Sequence, residues 1–290
     1  VIQLIYLAGS GRSGSTLVER TLGQSADTFC LGELHCLWRL RPEEITCSCG
    51  ARFGDCPVWR GAADARTLAR LRELEFKFAR HAHIALSGGR LGRIHSLGLR
   101  EFLDLQWDVL QRLSETTGAR RFIDSSKAAP RAWVVASDPR IDLWVVHLRR
   151  HAREIIASWL SRKFDPGLGG SMAAKGVSTV AMEILKTRLS LSLLRRERPI
   201  GKLDYDAFVA SPVEALRALI DAGSLPPDLR VDLEGGDTLR PAELHTLNGN
   251  PDRFERGRIR ISARSAMEKL SDRQRRLANF AGGLIEAVPV

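Results

Sequence analysis

An apolar run, Ile2-Gln3-Leu4-Ile5-Tyr6-Leu7, leads into Gly9-Ser10-Gly11-Arg12-Ser13-Gly14-Ser15-Thr16 and then into the periodic stretch Leu17-Val18-Glu19-Arg20-Thr21-Leu22. Strand, glycine-rich turn and helix in that order aim backbone N–H groups and a helix N-terminus at one spot, which suits a phosphate. The loop keeps the G-x-x-x-x-G spacing of nucleoside triphosphatases. Ser15, however, stands where those loops carry the lysine for the β/γ-phosphates. Arg12, three residues earlier, is the only cation of the loop. The amides of residues 11–16, together with the Ser15 and Thr16 hydroxyls, are therefore expected to cradle a phosphate-like group without ATP hydrolysis chemistry. Arg12 would add a charge-assisted contact.

Along the rest of the chain, strand-like and helix-like segments alternate. Strands are predicted over 2–8, about 121–127, 141–148 and 201–205. Helices are predicted over about 16–24, 64–85, 100–115, 152–162, 178–196, 212–222 and 265–286. Residues 28–60 read as an irregular, cysteine-containing insertion, and Gly167-Leu168-Gly169-Gly170-Ser171 as a flexible loop over the site. Strands separated by helices predict an α/β fold whose central parallel sheet is covered on both faces. No low-complexity linker interrupts the 290 residues, so a single domain is expected. Ligands of such sheets bind beyond the strand C-termini, where residues 9–16, 124–127 and 149–150 would meet.

Forty-four Lys and Arg against 34 Asp and Glu leave a net charge of +10, which favours an anionic partner. Aromatic residues make up only 6% and no base-recognition motif is present, so a nucleotide is a better match than nucleic acid. No apolar run reaches membrane-spanning length and no signal peptide precedes the first strand, which reads as a cytoplasmic protein. All five cysteines (Cys30, Cys36, Cys47, Cys49 and Cys56) fall in one short region. The Cys47-x-Cys49-x₆-Cys56 pattern lacks the usual C-x₂-C zinc spacing. Reduced thiols, a disulfide, or a metal with Cys36, His35 or Cys30 as fourth ligand all remain open.

A second motif joins a strand end to a helix: Val145-Val146-His147-Leu148-Arg149-Arg150 runs on to Ala157-Ser158, with Arg150 and Ser158 eight residues apart. Together with the lysine-free loop, this pair makes the chain resemble the sulfotransferases that use 3′-phosphoadenosine-5′-phosphosulfate (PAPS), bacterial members above all. The resemblance extends over most of the chain. It takes in Gly32-Glu33, Asp124-Ser125-Ser126-Lys127, Cys47-Ser48-Cys49-Gly50, Cys56-Pro57-Val58-Trp59, Leu203-Asp204-Tyr205 and His245-Thr246-Leu247-Asn248-Gly249-Asn250-Pro251-Asp252-Arg253. His151-Ala152 replaces the family's usual Asp-Pro after the arginine, a departure that touches the turn more than the ligands.

What the resemblance implies is a P-loop-type three-layer fold and transfer of a sulfuryl group from PAPS to a hydroxyl or amine, releasing 3′,5′-ADP, with no metal ion. Residues Gly11, Arg12, Ser13, Gly14, Ser15 and Thr16 would hold the 5′-phosphosulfate, Arg150 and Ser158 the 3′-phosphate, and Asn250 and Arg253 the 3′-phosphate or adenine. Glu33 is the candidate general base, its carboxyl expected to be raised by desolvation. His35 and Asp124 are alternatives. Lys127 and Arg12 would stabilise charge at the transferring group. Tyr205 and the tryptophans are expected to pack rather than stack. Segments 28–60, 80–100 and 163–178 would shape the acceptor pocket for a lipid, glycan, small alcohol or peptide tyrosine. The competing readings are a P-loop kinase using ATP and a non-catalytic nucleotide- or nucleic-acid-binding protein.

Overall fold

A computed structural model describes residues 1–88, 98–161, 163–167 and 169–288. Of the sequence features named above, residue 162, Leu168 and the 89–97 part of the 80–100 pocket segment lie outside these residues.

Strand β1 (Ile2–Gly9) shows why the sheet lies inside the molecule. Its even-numbered side chains Ile2, Leu4, Tyr6 and Ala8 join one apolar cluster, while Ile5 and Leu7 join another on the opposite face. That period-two alternation with no polar face is what a strand buried on both sides requires. Helix α1 (Ser15–Leu22) follows, then β2 (Thr28–Gly32), α2 (Cys36–Arg39), α3 (Ala65–Gly88), α4 (Leu99–Thr117), β3 (Arg121–Lys127), α5 (Ala129–Val135), β4 (Ile141–Arg149), α6 (Ala152–Leu160), α7 (Val177–Arg195), β5 (Gly201–Asp204), α8 (Tyr205–Ala210), α9 (Pro212–Asp221) and α10 (Asp272–Glu286). The five strands form one sheet in the order β2-β3-β1-β4-β5, every pair parallel.

One face of the sheet is covered by α2 to α5, through Trp38, Leu71, Phe102 and Ala132. The other is covered by α1, α8 and α9, through Val18, Leu22, Phe208 and Leu216. A third cluster binds α6, α7 and α10 together, through Ile156, Ile184 and Ala278. The expected α/β three-layer arrangement is thus present. Parallel pairing brings all five strand C-termini to one edge, where the chain leaves into residues 9–14, Glu33, Ala128, Arg150 and Tyr205.

Four local expectations change. Residues 28–32 are not irregular but form the edge strand β2; with Thr28 and Gly32 at its ends, the run is too short to show a period. Gly170–Ser171, the end of the glycine-rich segment, form a short antiparallel pairing with Phe164–Asp165. Residues 205–210 form a helix instead of ending a strand. The last helix starts at Asp272, not about 265, because Ser271 and Gln274 make a reciprocal capping box.

Candidate active site

The loop after β1 is shaped by two left-handed residues, Gly14 (φ 96°) and Arg12 (φ 69°). At Gly14 a Cβ would collide with the Tyr205 ring, so glycine is required by space as well as by conformation. Arg12 holds a conformation unfavourable for a side chain with Cβ, which is strain stored at the loop tip. Its guanidinium stacks on Trp159 at 4.9 Å and Nη2 donates to the Met172 sulfur at 3.0 Å. Nη1 is buried without a partner. Burial pushes the Arg12 pKa below its usual range, with Asp252 and Glu33 opposing. In the first turn of α1 the Leu17 and Val18 amides donate to Gly14 O at 3.0 and 3.2 Å, so the Ser15 and Thr16 amides are the ones at the helix start left for a ligand. Gly11, Gly14, Ser15 and Thr16 all face the cavity beside the loop. Ser13 does not line it: only 1% exposed, it donates its amide to Ser10 O at 3.3 Å and turns its hydroxyl inward near Gly9.

Arg150, at the end of β4, is held on three sides. Nη1 donates to Arg12 O and Nη2 to Arg264 O, both at 3.1 Å, and the guanidinium lies 4.5 Å above the Tyr205 ring centre. Nε is buried without a partner, and the nearest carboxylate, Glu154, stands 3.6 Å away. Glu154 is itself occupied, accepting from Ser265 Oγ at 2.9 Å and Ala266 N at 3.0 Å. Ser158 sits two turns along α6 on the wall of the same cavity. The spacing seen in the sequence therefore does bring Arg150 and Ser158 to one site. Tyr205 and Trp159, expected only to pack, are the aromatic supports of its two arginines.

At the ends of β2 and β3 two side chains meet. Register shifts on both edges of β3, near Asp124–Lys127, and a left-handed Lys127 (φ 71°) turn the lysine into the cavity. Its Nζ lies 2.5 Å from Glu33 Oε1 and 3.0 Å from Ser125 O. Burial alone would raise the Glu33 pKa, but the Lys127 ammonium outweighs it and holds the carboxyl below its usual value. This reverses the expected direction of the shift. His35 lies 4.0 Å from Glu33 and burial drives its pKa down to about 3, so it is neutral across the physiological range. Asp124, the other candidate base, is fully enclosed. It accepts from the Ser126 amide and hydroxyl, faces Arg131 at 3.6 Å, and does not line the cavity. Burial also pushes the Cys36 thiol up to about 12, with Glu33 adding to the effect, which leaves it a poor nucleophile.

Glu19 is a buried support behind the cavity wall that carried no sequence signal. From α1 it accepts from Gly32 N at 2.6 Å and from Ser125 Oγ at 2.8 Å, so it ties together the backbones that carry Glu33 and Lys127. Burial pushes its pKa up to about 7 against those two hydrogen bonds.

The late loop divides its two expected ligands. Asn250 lies on the cavity wall, its Oδ1 accepting from Lys163 Nζ at 3.5 Å. Arg253 does not line the cavity. Its guanidinium is spent in a buried pair with Asp165 at 3.1 Å, a bond to Gly249 O at 2.9 Å and stacking on Phe254 at 4.3 Å. Arg20 anchors the same loop by donating to Asp252 O at 2.6 Å and Glu255 O at 2.7 Å.

These elements enclose a cavity of about 1060 Å³ whose wall includes Arg12, Lys127, Arg150, Lys163, Lys175 and Arg264 on the cationic side and Glu33 and Asp252 on the acidic side. Two of its cations keep unpartnered buried nitrogens, so its chemistry is that of a large anion site with one carboxylate–ammonium pair at the strand ends. The two outer acceptor segments contribute His35, Arg39, Phe164, Met172 and Lys175.

Away from this wall, Cys47, Cys49 and Cys56 gather around His245. Cys36 and Cys30, named with His35 as possible fourth partners of that group, lie elsewhere: Cys36 beside Glu33 and Cys30 against Glu19 O. All five cysteines are free thiols in the structure.

Among solved structures the chain is similar to the sulfotransferase domain from the Synechococcus PCC 7002 olefin synthase, with 15% identity, 99% of this chain and 95% of that one covered, and a TM-score of 0.47. It is also similar to the sulfotransferase domain from the curacin biosynthetic pathway, with 20% identity, 78% and 75% covered, and a TM-score of 0.46. No family model matches the chain, and no curated protein does. No helix among the described residues is long and apolar enough to cross a membrane.

Proposed function

We propose that the cavity binds PAPS and that the chain transfers its sulfuryl group to a hydroxyl or amine acceptor, releasing 3′,5′-ADP. The observation that carries this reading is the pairing of two anion-directed clusters in one cavity. One is a helix-start loop with no lysine; the other is Arg150 with Ser158, propped on the loop's own backbone at Arg12 O. A donor with separate 5′-phosphosulfate and 3′-phosphate groups matches two such clusters. A kinase loop would need its lysine for the β/γ-phosphates.

In this reading Gly11, Arg12, Gly14, Ser15 and Thr16 take the 5′-phosphosulfate, Arg150 and Ser158 the 3′-phosphate, and Asn250 the nucleotide's outer part. The acceptor oxygen forms the new O–S bond and its proton passes to Glu33. The S–O bond to the 5′-phosphate breaks, its electron pair leaving on 3′,5′-ADP. Lys127 holds Glu33 ionised, the form a base needs, but weakens its basicity. Phosphosulfate competing for the Lys127 ammonium would loosen the pair and restore the carboxylate's basicity as the donor binds. Arg12 and Lys127 would then face the charge that develops on the transferring and leaving groups, the role of fixed cations in a water-poor site.

The decisive test combines radiolabelled PAPS turnover over a panel of hydroxyl and amine acceptors with binding of 3′,5′-ADP, ATP and duplex DNA. Preference for 3′,5′-ADP and label transfer are expected. Preference for ATP or DNA would overturn the reading.

A further inference from the structure

We infer that Cys47, Cys49, Cys56 and His245 form a tetrahedral structural zinc site, separate from the proposed chemistry and independent of it. Cys49 and Cys56 Sγ are 3.8 Å apart and Cys56 and Cys47 Sγ 3.6 Å; His245 Nδ1 lies 3.3 Å from Cys56 Sγ and 3.7 Å from Cys47 Sγ. A tetrahedral zinc with bonds of about 2.3 Å to sulfur and about 2.0 Å to nitrogen spaces its ligands by about 3.5–3.8 Å. Four of the six donor-to-donor separations fall at or close to that spacing, and all four donor atoms lie within 4.8 Å of one another. A disulfide needs its sulfurs at about 2.0 Å, and three thiols cannot all pair within one chain.

The local backbone is built for this geometry. Cys47-Ser48-Cys49-Gly50 makes a tight turn closed by Gly50 N to Cys47 O at 2.9 Å, with Gly50 left-handed at φ 95° and nothing near its missing Cβ. The glycine is there for the turn alone. His245 is oriented from behind, its carbonyl accepting from Trp59 Nε1 at 2.5 Å.

The fourth ligand comes from a segment 189 positions after Cys56, so the ion would clasp two distant stretches of chain. Beyond His245, Leu247 bonds both sides of the β2 exit, donating to Leu31 O at 3.0 Å and accepting from Glu33 N at 2.8 Å. Asn248, Gly249 and Asn250 then enter the cavity wall. The zinc would therefore fix the wall that carries Glu33 and Asn250 without touching the substrate.

Elemental analysis of protein purified without chelator, from zinc-supplied cells, is expected to give roughly one zinc per chain. The Cys49→Ser and His245→Ala variants should lose it, whereas Cys30→Ala keeps it. Because such variants risk misfolding, a second measurement uses the unaltered chain. Cobalt exchanged into it should show thiolate-to-metal charge transfer and the intense visible bands of a tetrahedral three-sulfur, one-nitrogen site. Metal-free protein as purified, zinc retained in both variants, a six-coordinate cobalt spectrum, or a native disulfide among the three cysteines would each overturn the site.

Discussion

Glu19 and Glu33 are both enclosed carboxylates beside the β2 exit, and burial raises the pKa of each, yet the two end on opposite sides of the usual value. Glu33 has an ammonium at 2.5 Å and stays below its usual pKa; Glu19 has only neutral donors, Gly32 N and Ser125 Oγ, and is pushed up to about 7. A buried carboxylate's charge state is decided by its partner's charge. Arg150 and Arg253 repeat the lesson with cations. Arg253 is paired with Asp165 at 3.1 Å and holds a loop in place, whereas Arg150 rests on two carbonyls and an aromatic ring, with its nearest carboxylate, Glu154, at 3.6 Å and engaged elsewhere. Both keep a buried Nε without a partner, but only Arg150 lines the cavity. The more loosely paired cation, on the cavity wall, is the one available to a ligand.

The largest effect is expected where that comparison is sharpest. Glu33→Gln should lower turnover roughly 10²–10⁴-fold, the weight of general-base catalysis, with 3′,5′-ADP affinity kept. Steady-state kinetics alongside calorimetry decide it; near-normal turnover would remove Glu33 from the proton transfer.

The arginine pair comes next. Arg253→Ala should cost about 3–5 kcal/mol of folding stability, the range for stranding a buried charge, here Asp165. Arg150→Ala should weaken 3′,5′-ADP binding by about 1.5–3 kcal/mol while leaving 5′-AMP little changed. Urea unfolding and titration of both nucleotides read the two effects apart. Were Arg253→Ala to lose only 3′-phosphate selectivity, it would belong to the nucleotide site after all.

The smallest effect is a pH slope. A raised Glu19 pKa means the folded chain keeps a proton the unfolded chain has lost, so its contribution is full below the unfolded value and fades as pH rises through about 7. Across that window the native chain should lose up to about 1.4 kcal/mol per pH unit relative to Glu19→Gln. Parallel stability curves for the two from pH 5 to 8 would contradict the assignment. Glu33 works the other way, adding stability above the unfolded carboxyl value and losing it as pH falls through its lower folded pKa.

Much of this site could be read from the chain because its parts are local. A loop between strand and helix, or an arginine and a serine eight residues apart across a strand end, has its geometry fixed by a few dihedrals. Where partners are distant the sequence offered no signal. Arg253 looked like a ligand until Asp165, 88 positions earlier, was seen to take its charge. Asp124 looked like a base until β3 buried it among Ser126 and Arg131. Tyr205 looked like packing until it came up beneath Arg150.

By itself, then, the sequence determined the α/β layering and the lysine-free loop, because hydrophobic period and glycine spacing are properties of neighbouring residues. Only the tertiary structure decided which charges are spent and which are left to act. It also decided that three cysteines of one segment meet a histidine of another. Charge state and ligand geometry depend on what surrounds a group in space, and the folded sheet edge sets those surroundings.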